Sequence, residues 1–229
     1  VALTVKHFPG GGPQEAGFDP HYTFGKNQVY PTGNFAYHLK PFRAAIDAGV
    51  ASVMPYYGVP IRVTHEGVTY DQIGMAFSPQ IVTDLLRGKL GFQGYVNSDT
   101  GIINSRAWGF EGKSVPERVA AAINAGTDVL SGFNTKQTII DLVAGGLVAQ
   151  ARVDDAVSRL LFEQFALGLF ENPYVDAGPA AAIVGRDDFR TQALDAQRRS
   201  IVLLKNQDGN ALPLRTPTAT APVRVYTLG

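Results

Sequence analysis

The chain has 229 residues, 45% of them hydrophobic and 17% charged, which suits a globular core-former near the upper size of one domain. Its 20 basic and 20 acidic residues cancel, so nothing electrostatic favours nucleic acid or an anionic membrane, and neither is expected as a partner. The absence of cysteine excludes disulfides, thiolate nucleophiles and cysteine-ligated zinc, and no apolar run of about 18 residues offers a membrane-spanning helix.

From Val1 the chain reads as strand interior, Ala2-Leu3-Thr4-Val5, with no visible signal peptide, so its beginning is expected to lie outside this sequence. That strand covers 3–7. Phe35, Leu39, Phe42 and Ile46 fall near one face and predict a helix over 34–48, stopped by Gly49. A second strand is read over 51–57. Ser78 caps a helix carrying Ile81, Leu85 and Leu86 and ending near Gly88. A third strand covers 94–99. Ser114 caps the next helix, with Pro116 and Glu117 in its first turn. A fourth strand over 128–131 precedes a helix over 135–144. Asp154 opens a longer helix through Leu167, with Gly168 at its C-terminus.

Strands alternating with helices imply parallel pairing through crossovers, and apolar runs such as Ala51-Ser52-Val53-Met54 fit strands covered on both faces. Four such units make half of a (β/α)8 barrel, with a doubly wound open sheet as the competing architecture. The composition then changes. Residues 176–183, rich in Ala, Gly and Pro, read as a linker, and 187–199 as a helix. Ile201-Val202-Leu203-Leu204 reads as a buried strand, followed by a turn at 208–210, a Thr/Pro/Ala stretch at 216–222 and a strand over 223–228. The organisation expected is therefore the C-terminal half of a barrel over 1–175, a linker and helix over 176–200, and the start of a second α/β domain over 201–229. Half a barrel leaves open strand edges, so the chain is expected not to fold stably alone. It should belong to a larger polypeptide or lie against a complementary chain or a second copy.

In parallel α/β folds the loops after the strands carry function. The strands here end in Lys6-His7, Tyr56-Tyr57, Asn97-Ser98-Asp99 and Leu130-Ser131-Gly132, so polar groups converge at one rim. Lys6 and His7 offer donors to sugar hydroxyls, or else a strand-end salt bridge and a satisfied histidine. Gly10-Gly11-Gly12 lets the backbone turn, but Pro13 and the lack of a Gly-Lys-Ser/Thr run argue against a phosphate loop. Asp99 at a strand end suits a nucleophile, a base, a metal ligand or a cap on the next segment. Asp19 and His21 suit a dyad, or an Asx-turn around Pro20. Trp108 suits a stacking surface for a sugar, or packing. The histidines lack metal-site spacing, no Gly-x-Ser-x-Gly elbow exists, and neither metal nor cofactor is expected.

Taken in order, several stretches resemble glycoside hydrolase family 3, of the two-domain β-glucosidase type. They are Val5-Lys6-His7-Phe8-Pro9-Gly10, and 91–99 ending in Asn97-Ser98-Asp99. Similar too are Val153-Asp154-Asp155-Ala156-Val157 through Gly168-Leu169-Phe170, and Ile201-Val202-Leu203-Leu204-Lys205-Asn206 with Leu212-Pro213-Leu214. The resemblance implies a retaining exo-glycosidase acting on a terminal β-linked sugar, glucose ahead of xylose or N-acetylglucosamine. Asp99 would be its nucleophile, with Lys6 and His7 on the sugar hydroxyls and Tyr57 beside the nucleophile. Lys6, if near, would also favour the ionised form of Asp99. Many relatives carry Trp where Thr100 stands, and Trp108 is the candidate to replace it. The family's acid/base glutamate lies in the second domain, beyond this chain. Single-domain relatives use an Asp-His pair, which Asp19 and His21 resemble. A periplasmic or secreted location is favoured over a cytoplasmic one. A catalytically silent sugar-binding module on the same scaffold is the competing reading.

Overall fold

The apolar runs pair side by side in the order in which they occur. In the computed structural model, which describes residues 1–206 and 212–227, the strands are β1 (Thr4–Phe8), β2 (Asn27–Gln28), β3 (Ser52–Pro55), β4 (Val59–Pro60), β5 (Thr64–His65), β6 (Val68–Thr69) and β7 (Tyr95–Val96). β1 pairs with β3 in parallel, Thr4 opposite Ser52 and Lys6 opposite Met54, and β3 pairs with β7 in parallel through Val53 and Val96. Asn97 then extends the ladder to Val129 by one parallel pairing. Two-residue β2 and β4 pair in parallel, and β5 and β6 form a small antiparallel hairpin that sequence periodicity does not reveal.

The first unit, Val1–Pro173, carries its helices between these strands. α1 (Phe35–Asp47) buries Phe35, Leu39 and Phe42, the face its spacing predicts. The segment Gln80–Lys89 is helical as expected but wound as a π-helix. Its Ile81, Val82, Leu85 and Leu86 are buried, and Ile81 N–H reaches Ser78 Oγ at 3.3 Å. α2 (Val115–Asn124) starts in a reciprocal cap, with both the backbone N–H and the hydroxyl of Ser114 donating to Glu117 Oε2 at 2.8 Å. α3 (Lys136–Ala144) and α4 (Gln150–Ala166) follow. One core, with Phe8, Val53, Val96, Phe42 and Leu86, fills the space between the sheet and α1 and the π-helix. A second, with Phe77, Ile103, Val119, Leu142 and Val148, lies under α2 and α3.

Several boundaries differ from expectation. The strand read over 128–131 makes a single parallel pairing at Val129; the Asp128 N–H still reaches the Val96 carbonyl at 2.9 Å, while its carboxylate is taken up by arginines. The long helix starts at Gln150 and not Asp154. Ala149 is extended ahead of it, and the Gln150 amide donates to Asp154 Oδ1 at 2.8 Å as a one-turn side-chain pair.

The second unit, Tyr174–Gly229, holds α5 (Ala180–Ile183), one helical turn inside the stretch read as linker, and α6 (Asp187–Ser200). Ile201-Val202-Leu203-Leu204 is exposed and forms no strand, and neither does 223–227. Among the described residues no neighbouring strand offers either its hydrogen bonds; the only pairing there is Thr218 with Ala221. The turn expected at 208–210, and Leu228, lie outside the described residues.

Candidate active site

The rim at the C-terminal ends of β1, β3 and β7 brings most of the expected polar residues together. Between Lys6 and Phe8 the register of β1 against β3 shifts, so His7 is an extra residue on its strand. Such a bulge re-aims a side chain. His7 Nε2 lies 3.2 Å from Asp99 Oδ2. The Thr100 N–H donates to Asp99 Oδ1 at 2.7 Å. Tyr57, which follows β3, donates its hydroxyl to the Thr100 carbonyl, and turning the same single proton to the Asp99 carboxylate would favour the ionised acid. Burial pushes the Asp99 carboxyl up, but hydrogen bonds from His7, Thr100 and Tyr57 outweigh it and hold the group below the ordinary carboxylate range. Burial, and then the Asp99 charge, push the Tyr57 hydroxyl well up, so it remains a proton donor. The strand end itself is fixed from the next segment: Ser131 N–H donates to Ser98 Oγ at 2.9 Å, and the Ser131 hydroxyl to Asn97 Oδ1 at 2.8 Å.

A loop after β1 joins this group. His21 Nδ1 lies 2.6 Å from Asp19 Oδ1, and the His21 N–H donates to the same oxygen at 2.9 Å. These two hydrogen bonds, backbone first, lower the Asp19 carboxyl. The His21 ring meets Tyr57 edge-on at 5.1 Å between centroids, which links the Asp19–His21 pair to the Asp99 group through one side chain. The Asx-turn around Pro20 is thus formed, and the same oxygen also meets the His21 ring.

Trp108 is 7% exposed. Its indole N–H donates to the Pro20 carbonyl at 2.8 Å, so its present contact is with the underside of the 19–21 loop and not with open solvent where a sugar would stack. Lys6 is exposed, and no hydrogen bond or ion pair joins it to Asp99; the charge support expected from it comes instead from the His7, Thr100 and Tyr57 donors. Lys6 lines, with His7, Tyr37, His38 and Lys40, a cavity of about 510 Å³ between β1 and α1. Gly10 borders the same cavity at a φ of +127°, and a Cβ there would stand 2.8 Å from the His38 side chain, so the turn requires glycine. Its carbonyl accepts from Gln28 Nε2 and from the Tyr30 hydroxyl, both at 2.9 Å.

Sequence reasoning passed over Arg106 and Gln14, and placed Tyr56 at the rim without giving it a partner. The Arg106 guanidinium lies 5.5 Å from the Tyr57 ring centroid, with Nη1 3.4 Å from the Thr100 carbonyl. Tyr56 meets the His7 ring at 5.4 Å and accepts from the Gln14 amide. Their signal was position alone: Arg106 is the cation in the loop after Asp99, and Gln14 follows the glycine run. Among the described residues no three His, Asp or Glu side chains group as metal ligands, and no helix is long and apolar enough to cross a membrane.

The chain that carries this arrangement has relatives among known proteins. The model of the glycosyl hydrolase family 3 N-terminal domain matches residues 1–162. Beta-glucosidase C of Emericella nidulans is 45% identical over 227 residues, covering 95% of this chain and 36% of that protein. A periplasmic beta-glucosidase/beta-xylosidase of Dickeya chrysanthemi is 37% identical over 94% of this chain and 36% of its own length. A crystal structure of beta-glucosidase from Listeria innocua in complex with glucose superposes with a TM-score of 0.68 at 28% identity, over 93% of this chain and 27% of that one. The chain thus spans about a third of the length of the curated relatives it matches. By the family model and by this identity, the chain is an α/β member of glycosyl hydrolase family 3.

Proposed function

We propose that the complete protein is a retaining exo-glycosidase that hydrolyses terminal β-linked glucose, with Asp99 as nucleophile. The observation that carries this reading is the Asp99 carboxylate itself, held ionised by donors from three separate segments at one rim. An oxygen of Asp99 attacks the anomeric carbon, the glycosidic C–O bond breaks, and the leaving oxygen takes a proton from an acid. Water then attacks the glycosyl-enzyme, gives up a proton to the conjugate base, and Asp99 departs as a carboxylate. Donors that stabilise this carboxylate make it the better leaving group in that second step. Lys6 and His7 hold hydroxyls of the non-reducing sugar. The acid/base is a glutamate of a second domain, beyond the residues of this chain.

In this reading residues 1–175 are the C-terminal half of a (β/α)8 barrel, 176–200 a linker and helix, and 201–229 the start of an α/β domain. The sequential parallel order β1, β3, β7 and then Val129 supports the barrel, because a doubly wound sheet reverses order at a switch point. The remaining segments of the protein, in the same or a complementary chain, complete the site. A periplasmic or secreted location agrees with the name of the Dickeya chrysanthemi relative.

One observation favours a second acid/base. The hydrogen-bonded Asp19–His21 pair packs against Tyr57 and could serve the leaving oxygen, as in the N-acetylglucosamine-cleaving reading. In the full-length protein, Asp99→Gly lowers hydrolysis of an activated aryl β-glucoside by orders of magnitude, with partial rescue by azide or formate. An unchanged rate rejects the nucleophile. His21→Ala separates the two acids: a loss confined to poor leaving groups favours the pair, and an unchanged rate favours the distant glutamate.

A further inference from the structure

We propose that Phe18, Tyr22 and Phe24 form a leaving-group platform that accepts an aromatic or other flat apolar aglycone; this rests on the glycosidase reading above. The three rings stand 48%, 57% and 64% exposed on the loop that carries Asp19 and His21. Tyr22 lies flat against Phe24, with centroids 5.3 Å apart and planes 6° from parallel, and Phe18 meets Phe24 edge-on at 5.6 Å. A contiguous cluster of aromatic rings on the surface of this chain has the character of a ligand-binding patch. Their place names the occupant. Tyr22 follows His21 directly, and His21 rests on Tyr57, whose hydroxyl is at Thr100 beside Asp99. A glycoside with its anomeric carbon at Asp99 and its leaving group turned past Tyr57 toward His21 meets this loop next. No ring is available at position 100, and Trp108 is taken up beneath Pro20.

The platform is also fixed in advance. Trp108 holds the loop at the Pro20 carbonyl, the Lys26 ammonium pairs with Glu111 at 2.6 Å, and the Asn27 amide donates to Glu15 at 2.6 Å. Gly25 closes the loop on itself: a Cβ at that position would stand 1.9 Å from the Asp19 carbonyl oxygen, so no other residue permits the approach. Rings held on a rigid loop lose little freedom when a ligand stacks on them.

The test compares two substrates with the full-length protein. In the double variant Tyr22→Ala/Phe24→Ala, kcat/KM for 2-naphthyl β-glucoside falls about tenfold, the value of an offset aromatic stack. For β-glucosyl fluoride, whose leaving group cannot reach the loop, it is unchanged. Phe24→Tyr keeps both wild-type values. Parallel changes on both substrates, or no change on either, overturn the platform. If the wild type hydrolyses neither substrate, the glycosidase reading fails, and titration with the S-linked naphthyl thioglucoside decides the platform separately. A roughly tenfold weaker Kd in the double variant upholds it, and an equal Kd overturns it.

Discussion

Asp99 is governed by what donates to it. Its carboxyl is lowered in the folded chain, so the stabilisation from its donors is fully present above the ordinary carboxylate range. That stabilisation is lost as pH falls through the lower folded value. His7 supplies the leading favourable contribution. His7→Ala should therefore move the acidic limb of the kcat/KM profile to higher pH. It should also lower kcat/KM by roughly 10- to 100-fold, the range for a hydrogen bond to a charged group of about 1.5–3 kcal/mol. An acidic limb that does not move counts against the His7–Asp99 contact as the source of the low value. Asp99, His7 and Tyr57 were legible in the sequence because each lies at or just after the end of an apolar run, and the ends of parallel strands share a rim. The direction of Lys6 was not: it depends on a register shift between β1 and β3 that no local pattern records. The burial of Trp108 was hidden for the same reason, since its partner Pro20 lies 88 positions away.

Among the elements, α4 is tied to the sheet through one buried carboxylate. The Asp128 side chain is fully buried, and its oxygens meet Arg87 at 2.6 Å, Arg152 at 2.6 Å and Arg159 at 3.2 Å, while also accepting the Val96 N–H at 2.8 Å. Arg152 further donates to the Ile123 and Thr127 carbonyls, which fastens α4 to the end of α2. Asp128→Ala leaves partly buried guanidinium groups without their counter-charge. It should lower unfolding stability of the full-length protein by about 3–5 kcal/mol, read from denaturant midpoints at constant m-value. A loss under about 1 kcal/mol would place the attachment of α4 in its apolar contacts instead. The helices were visible beforehand because their apolar residues recur at three- and four-residue steps, and Ser114 with Glu117 marks a start by itself. The π-winding of Gln80–Lys89 leaves that spacing nearly intact, which is why periodicity reads it as an ordinary helix. The short strands were overdrawn because an apolar run continues past the last residue that finds a partner.

For the molecule as a whole, apolar surface is distributed unevenly. The strands and helices up to Val148 enclose two cores, whereas Leu161, Phe162, Phe165 and Phe170 along and after α4, and Ile201 to Leu204 in the second unit, are exposed. Produced alone, residues 1–229 should bind the dye ANS and lack a single cooperative unfolding transition, since patches of this extent favour association. A sharp monomeric transition without dye binding would contradict this. Trp108 is the only tryptophan among the 229 residues, and its indole N–H is bonded to the loop that carries the aromatic platform. Fluorine-labelled tryptophan, with the resonance assigned by Trp108→Phe, would thus give the protein a spectroscopic probe one hydrogen bond below that loop, able to report a ligand that settles on it without any added dye.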